Sequence, residues 1–93
     1  MYAVIRAYSG NSELADTLAE NAESIRQNIA AINGFKAYYV LKLAEGTSTI
    51  SVFDDREGAE ESSRVAATWL KENLPDVDLA PPYITAGEVR MDF

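Results

Sequence analysis

The side chains best suited to chemistry lie on one predicted helix, where two adjacent serines precede the only tryptophan. Ser62 and Ser63 interrupt the apolar face of that helix, and Trp69 follows on the same helix. Hydroxyls at such positions can border a cavity and orient a ligand, and an indole N–H can donate to a bound ring or carbonyl. The alternative for Trp69 is a packed core aromatic, which is favoured. The alternative for the serines is a hydrogen bond to the preceding turn, which is equally supported.

Two tyrosines and an asparagine are further candidates for the wall of a ligand pocket. Tyr38 and Tyr39 are adjacent on a predicted strand, so their side chains point to opposite faces and only one can line a given pocket. We assign Tyr39 to the helix-facing side, which makes it the pocket candidate. Asn28 flanks the apolar stripe of an earlier helix and can point at the same cavity, although a surface position is favoured.

The absence of histidine and cysteine excludes several kinds of site. None of the 93 residues is either type, so the chain cannot build a Cys/His zinc site, a haem site with a proximal His or Cys, a Ser-His triad or a disulfide. The acidic run at residues 54–61 could attract a hard cation, but carboxylates at a helix start usually complement the helix dipole. We therefore expect no metal and no cofactor.

The charge and hydropathy of the chain also limit its partners. A net charge of −7 repels phosphate backbones, so nucleic acid is not expected as a partner. No segment approaches the roughly 20 apolar residues that a membrane-spanning helix needs. The first residues have neither the basic start nor the long apolar run of a signal peptide. These features predict a cytoplasmic protein without a membrane partner.

Periodicity and turn residues predict a single domain, residues 1–93, with the element order βαββαβ. The first helix is capped at Asn11 or Ser12 and ends at Asn33-Gly34, and the second is capped at Asp54 and ends before Pro75. In the central hairpin, Glu45-Gly46 is taken as the loop. The predicted strands cover residues 2–8, 35–43, 47–54 and 84–91.

The predicted order is that of an α+β, ferredoxin-like fold, a four-stranded antiparallel sheet with both helices on one face. The other face then needs a cover, and a second copy packed sheet against sheet is the economical one, since so short a chain buries little surface alone. We place the small side chains of the first strand and Tyr39 under the helices. The dimer face is then assigned to Tyr2, Val4, Arg6, Tyr38, Phe53 and Glu88.

Arg6 and Glu88 lie on strands that this topology makes neighbours. A buried pair could fix the dimer register or bind an anionic ligand. A partly solvated ion pair at the end of the sheet is favoured, and such a pair contributes little to stability.

Four short segments resemble those of a known family. They are Gly34-Phe35-x-x-Tyr38, Ser51-Val52-Phe53, Gly58-Ala59-Glu60-Glu61-Ser62 leading to Ala66-Ala67-x-Trp69, and Gly87-Glu88-Val89. With the element order, they resemble the dimeric α/β-barrel superfamily, and within it small proteins of the antibiotic-biosynthesis-monooxygenase type. The resemblance implies a homodimer with a pocket between sheet and helices in each subunit.

The same resemblance also limits the reactions that the chain is expected to catalyse. Cofactor-free oxygenases of this family carry an Asn four residues before the helical Trp, but here that residue is Val65. The haem-degrading members use a His ligand and an Asn on the first strand, and the chain has neither. Two hypotheses follow: a cofactor-free monooxygenase-like enzyme acting on a small aromatic molecule, or a non-catalytic dimer that binds a small ligand or a partner. The missing His slightly favours the second.

Overall fold

A computed structural model describes residues 1–93 and confirms the four-stranded antiparallel sheet with helices on one face. The sheet order is β2-β3-β1-β4, with every neighbouring pair antiparallel. None of the helices combines the length and the apolar character needed to cross a bilayer. The elements are β1 (Tyr2–Ser9), α1 (Glu13–Glu20), α2 (Ala22–Ile29), β2 (Phe35–Leu43), β3 (Gly46–Phe53), α3 (Arg56–Asn73) and β4 (Tyr83–Glu88).

The first predicted helix is in fact two short ones, separated at Asn21. The backbone of Asn21 has φ −108° and ψ 22°, and its N–H donates to Leu18 O over 3.0 Å, three residues back. The Asn21 side chain also donates to Thr17 O over 2.8 Å. An asparagine that bonds the preceding turn competes with the regular helical pattern. The apolar stripe continues across the break, with Leu14, Leu18, Ile25 and Ile29 all buried.

The long helix α3 begins one residue later than predicted. Asp55 is its N-cap, and the Asp55 carboxylate accepts from Gly58 N over 3.1 Å. Asp54 lies before the helix, and its N–H donates to Gly34 O, just before β2, over 2.8 Å. The helix ends at Asn73, before Pro75, as the sequence predicted.

The central hairpin has a different loop from the predicted one. Leu43 pairs with Gly46, so the two loop residues are Ala44 and Glu45, and Tyr39 pairs with Ile50. Because the loop was predicted one residue too late, the predicted pairing of β2 with β3 is shifted by two residues. A shift of two residues leaves each side chain on the same face of the sheet.

The assignment of the two sheet faces was wrong. Val4 and Arg6 of β1 and Phe53 of β3 are at most 2% exposed and lie against the helices. Strand registers put the other members of the predicted dimer face on the same side: Tyr2 pairs with Phe53 and Glu88, and Tyr38 pairs with Ser51. The open face carries Ala3, Ile5, Ala37, Tyr39, Leu41, Ile50 and Val52.

Polarity explains the error. An apolar set and a more polar set alternate along β2 and β3, and we took the apolar set for the core. In the folded chain the polar set of β3, Thr47, Thr49 and Ser51, is buried. Ser51 accepts from the guanidinium of buried Arg6 over 2.7 Å, and Thr49 is the cross-strand partner of Arg6. Thr47 donates to Asn11 O. The apolar set remains on the open face.

Candidate functional site

A buried arginine forms the centre of the layer between sheet and helices. Arg6 is 1% exposed. One terminal nitrogen, Nη1, donates to the hydroxyls of Ser62 and Ser63 over 3.2 and 3.1 Å, and the other, Nη2, donates to Ser51 Oγ over 2.7 Å. These bonds join β1 to β3 and to α3, and they fix the guanidinium between the layers.

The positive charge of Arg6 has no counter-charge within the protein. The six ion pairs of the structure all lie on the surface and none includes Arg6. Its Nε is buried without a hydrogen-bond partner, as is Thr49 Oγ1. A buried cation is costly unless it is paired, and an arginine cannot lose its proton to avoid the cost. The three hydroxyls bonded to Arg6 are neutral and do not cancel its charge. The guanidinium therefore remains able to pair with an anion.

Two tyrosines lie beside Arg6, and neither supplies that anion at neutral pH. Burial raises the pKa of Tyr8 above its ordinary value of 10.0, and the positive charge of Arg6 opposes the rise. The pKa of Tyr38 is raised for the same reason and opposed by the same charge. Both phenols are therefore protonated near pH 7 and can act as hydrogen-bond donors.

A small space, the inner cavity, lies between the sheet and the helices next to these tyrosines. Its volume is about 20 Å³, and its walls include Tyr8, Tyr38, Thr49, Asn28 and Trp69. A space of this size holds one water-sized molecule but not an aromatic ring. The unpaired Thr49 hydroxyl gives the cavity a polar wall.

Two larger grooves open on the helix side of the sheet. The first, which we call the α2 groove, has a volume of about 570 Å³ and lies between α1–α2 and β2. It is almost wholly apolar and shares Leu18, Ile25, Ile29 and Tyr38 with the inner cavity. The second, the α3 groove, has a volume of about 650 Å³ and lies between α3, β4 and the loop that joins them. Both volumes are in the range of ligand pockets.

The structure brings four of the predicted pocket residues to this region, in roles that differ from those expected. The Trp69 ring lines the inner cavity, but its N–H donates to Ser24 Oγ over 2.9 Å and ties α3 to α2. Ser62 donates to Ala59 O over 2.6 Å, which is the bond to the preceding turn that the sequence offered as the alternative to a ligand contact. Ser62 and Ser63 also accept hydrogen bonds from Arg6. Asn28 lies at the cavity wall and donates to Ser24 O over 2.7 Å.

Tyr39 is the exception among the pocket candidates. It lies on the open face and is 57% exposed, so it lines neither the inner cavity nor a groove. Tyr38, assigned by sequence to the dimer face, takes the pocket position instead. The two tyrosines exchanged roles because the faces of the sheet were assigned the wrong way round.

Comparison with solved structures identifies the fold. MhuD, in a variant with two manganese protoporphyrin IX molecules bound per active site, is similar with a TM-score of 0.76 at 12% identity, over 100% of this chain and 98% of that one. A dimeric ferredoxin-like protein from an uncultured marine organism gives 0.69 at 14%, over 99% and 95%. SnoaB, a cofactor-independent oxygenase from Streptomyces nogalater, gives 0.63 at 13%, over 98% and 94%. The chain has the ferredoxin-like fold of these proteins.

At these identities the likeness concerns the ferredoxin-like fold and not the chemistry. No family model and no curated protein matches the sequence. The expected resemblance to dimeric α/β-barrel proteins is thus confirmed for the fold. No group of three or more acidic, His or Cys side chains converges on a possible metal position.

Sequence reasoning missed the most distinctive part of the site, the Arg6 cluster. Arg6 is in phase with Val4 and Tyr8 along β1, and three hydroxyl residues are in phase at positions 47, 49 and 51 of β3, with Ser48 on the other face. A buried polar layer is indicated when one strand carries a charged residue in phase with large apolar ones and the neighbouring strand carries hydroxyls in phase with one another. On two strands with no known register, the pattern did not show that the two rows meet.

Proposed function

We propose that the protein is a homodimer whose subunits bind a small aromatic molecule in the α2 groove and oxygenate it without a cofactor. The observation that carries the proposal is the pair of protonated phenols, Tyr8 and Tyr38, that line a small cavity beside an apolar groove, with the fixed buried cation of Arg6 next to both phenols. The similarity in fold to a cofactor-independent oxygenase supports it.

The oxygenation requires two contributions from the protein, which are the exclusion of water and the stabilisation of developing charge. A quinol is the simplest substrate: quinol plus O₂ gives hydroxyquinone plus water, with the substrate supplying all four electrons. One oxygen atom enters the ring and the other leaves as water. Electron transfer to oxygen creates negative charge in the inner cavity. Arg6 does not line this cavity, but its guanidinium lies beside Tyr8 and Tyr38, which do, and it is already oriented to stabilise the charge through them.

Tyr38 is the residue placed to connect the substrate with this charge. It lines both the α2 groove and the inner cavity, and its protonated hydroxyl can donate to a reduced oxygen species. The inner cavity has room for little more than a water molecule, and dioxygen, which is somewhat larger, is the molecule that the proposal places there. In this proposal the substrate ring lies in the groove, oxygen in the cavity, and Trp69 closes the cavity wall.

The open face of the sheet supports the homodimer. Ile5, Tyr39, Leu41 and Tyr83 lie on this face and are 41%, 57%, 40% and 78% exposed. An apolar face of this kind is unusual for a soluble monomer and marks an interaction surface. A second copy packed sheet against sheet covers it by symmetry.

A non-catalytic ligand-binding dimer is the second candidate, and one observation favours it. The polar groups around the cavity are largely engaged: Trp69 Nε1 bonds Ser24, and Ser62 bonds both Ala59 and Arg6. With no His in the chain, a general base that titrates near neutral pH has no obvious source.

Oxygen uptake with methylhydroquinone tests the proposal and separates the two candidates. Ala22 and Ala67 are both exposed and line the α2 and α3 grooves respectively. We expect uptake above the buffer rate, its loss in Ala22→Trp, and its retention in Ala67→Trp. A quinol that raises the melting temperature yet is recovered unchanged would support the binding protein instead. If the quinol causes no oxygen uptake and no thermal stabilisation, both candidate functions are overturned.

A further inference from the structure

The α3 groove differs from the α2 groove in its charge. Its fourteen lining residues include Arg6 and Lys71 and not one Asp or Glu. The chain as a whole has 15 acidic residues against 8 basic ones. A groove that excludes acidic side chains in so acidic a protein provides a locally favourable environment for a negative charge.

Arg6 and Lys71 lie at different depths in this groove. Arg6 is 1% exposed and forms part of the floor, where its Nε has no hydrogen-bond partner. Lys71 is exposed at the rim. A guanidinium pairs strongly with a carboxylate, and the strength increases where water is excluded.

The remaining walls of the groove are apolar. They include Leu70 of α3, Leu74 at the C-cap of that helix, Leu79 and Pro81 of the loop, and Ile84 of β4. Walls of this kind suit a hydrocarbon or aromatic body but not a highly charged phosphate or a polynucleotide. The volume of about 650 Å³ suits a molecule of drug-like size.

We propose that the α3 groove is a second ligand site that binds a small organic carboxylate with an apolar body. The carboxylate pairs with Arg6 at the floor and is steered by Lys71 at the rim. The apolar body lies against the leucines and prolines of the walls. This site is distinct from the α2 groove, because the two grooves share no lining residue.

Calorimetric titration with octanoate, and with octanol as its uncharged counterpart, tests the proposal. We expect octanoate to bind at least about tenfold more tightly than octanol, as a charge-assisted pair requires, and its affinity to fall as salt is raised. Ala67→Trp, which fills the α3 groove from an exposed position, should weaken octanoate binding about tenfold or more. Ala22→Trp, the matched change in the other groove, should leave it unchanged.

Lys71→Gln tests the steering charge without touching the buried cluster, and it should weaken octanoate but not octanol. Equal affinities for the two probes, no binding of octanoate, or an unchanged affinity in Ala67→Trp would each overturn the second site. Quinol-dependent oxygen uptake is measured on the same Ala67→Trp protein. Both proposals use the charge of Arg6, but their ligands lie in grooves that share no lining residue. In the wild-type protein, absence of octanoate binding with oxygen uptake present overturns the second site alone, and the reverse result overturns the oxygenase alone.

Discussion

Arg6 and Ser51 lie diagonally across two neighbouring strands, with Arg6 Nη2 2.7 Å from Ser51 Oγ and both residues at most 1% exposed. The serine holds the guanidinium in place but does not neutralise it. A buried cation held only by hydroxyls is positioned by the fold and remains able to attract negative charge. The proposed chemistry and the second ligand site both rest on this relationship.

Ser51→Ala should lower the free energy of unfolding by about 1.5–3 kcal/mol, the usual contribution of a hydrogen bond to a charged group. The loss is large because the freed guanidinium nitrogen stays buried. Urea denaturation measures it. Ser48→Ala, on the open face of the same strand, is the control and should cost much less. Equal losses in the two variants would contradict the assigned role of Ser51.

Gly58 is required by close packing at the start of α3. A Cβ there would lie 2.9 Å from Phe53 Cδ2 and 3.0 Å from Asn33 O, so Gly58→Ala should destabilise the protein by about 1–3 kcal/mol, as overpacking usually does. Helix propensity alone predicts the opposite sign, since Ala favours a helix over Gly by roughly 1 kcal/mol.

Gly87→Ala is the matched control for Gly58, because a Cβ at Gly87 meets no atom within 4 Å. Thermal melting of the two variants gives the comparison. If Gly58→Ala melts at or above the wild-type temperature, the tight contact with Phe53 is not present in solution.

The raised pKa of Tyr38 predicts a loss of stability at alkaline pH. Above about pH 10, the ordinary value, tyrosine in the unfolded chain releases its proton while buried Tyr38 keeps its own. The folded state then binds more protons, so the free energy of unfolding falls as pH rises until the folded-state pKa is passed. Below pH 10 the contribution of Tyr38 is fully present.

Tyr38→Phe should make this alkaline decline shallower, as measured by urea denaturation across a series of pH values. A Tyr38→Phe curve that runs parallel to wild type would show that Tyr38 does not keep its proton through burial.

The open face predicts the assembly state. Wild-type protein at micromolar concentration should sediment at twice the 10.2 kDa chain mass. Leu41→Glu places like charges on the proposed interface and should yield monomers. Lys42→Gln changes the neighbouring residue, which is also exposed but points to the other side of the strand, and should remain dimeric. A wild-type mass of 10.2 kDa would contradict the sheet-to-sheet dimer.

The sequence predicted the fold well because its signals were local. The leucine and isoleucine spacing of residues 14–29, the Gly34 turn and the stop before Pro75 each fix an element regardless of the rest of the chain. The helix break at Asn21 was missed because it depends on a side-chain bond to Thr17 O, which competes with an otherwise regular pattern.

The candidate site was predicted less well because it depends on which face of the sheet meets the helices. Alternation shows that Tyr38 and Tyr39 differ in direction but not which one is inside. We assigned the more apolar face of the sheet to the helices, and this was wrong. The face against the helices holds Arg6 with its serines, and the open face holds Leu41 and Ile50. An apolar face that the folded chain leaves open is read as core in a single sequence.

The most direct test of the central proposal, oxygenation in the α2 groove, is mass spectrometry of the product formed from methylhydroquinone under ¹⁸O₂. Our account predicts a hydroxyquinone that carries one labelled atom, one O₂ consumed per product, and loss of the reaction in Ala22→Trp. An unlabelled hydroxyquinone, or a simple quinone formed with hydrogen peroxide, would contradict it, because in neither case does an oxygen atom from O₂ enter the ring.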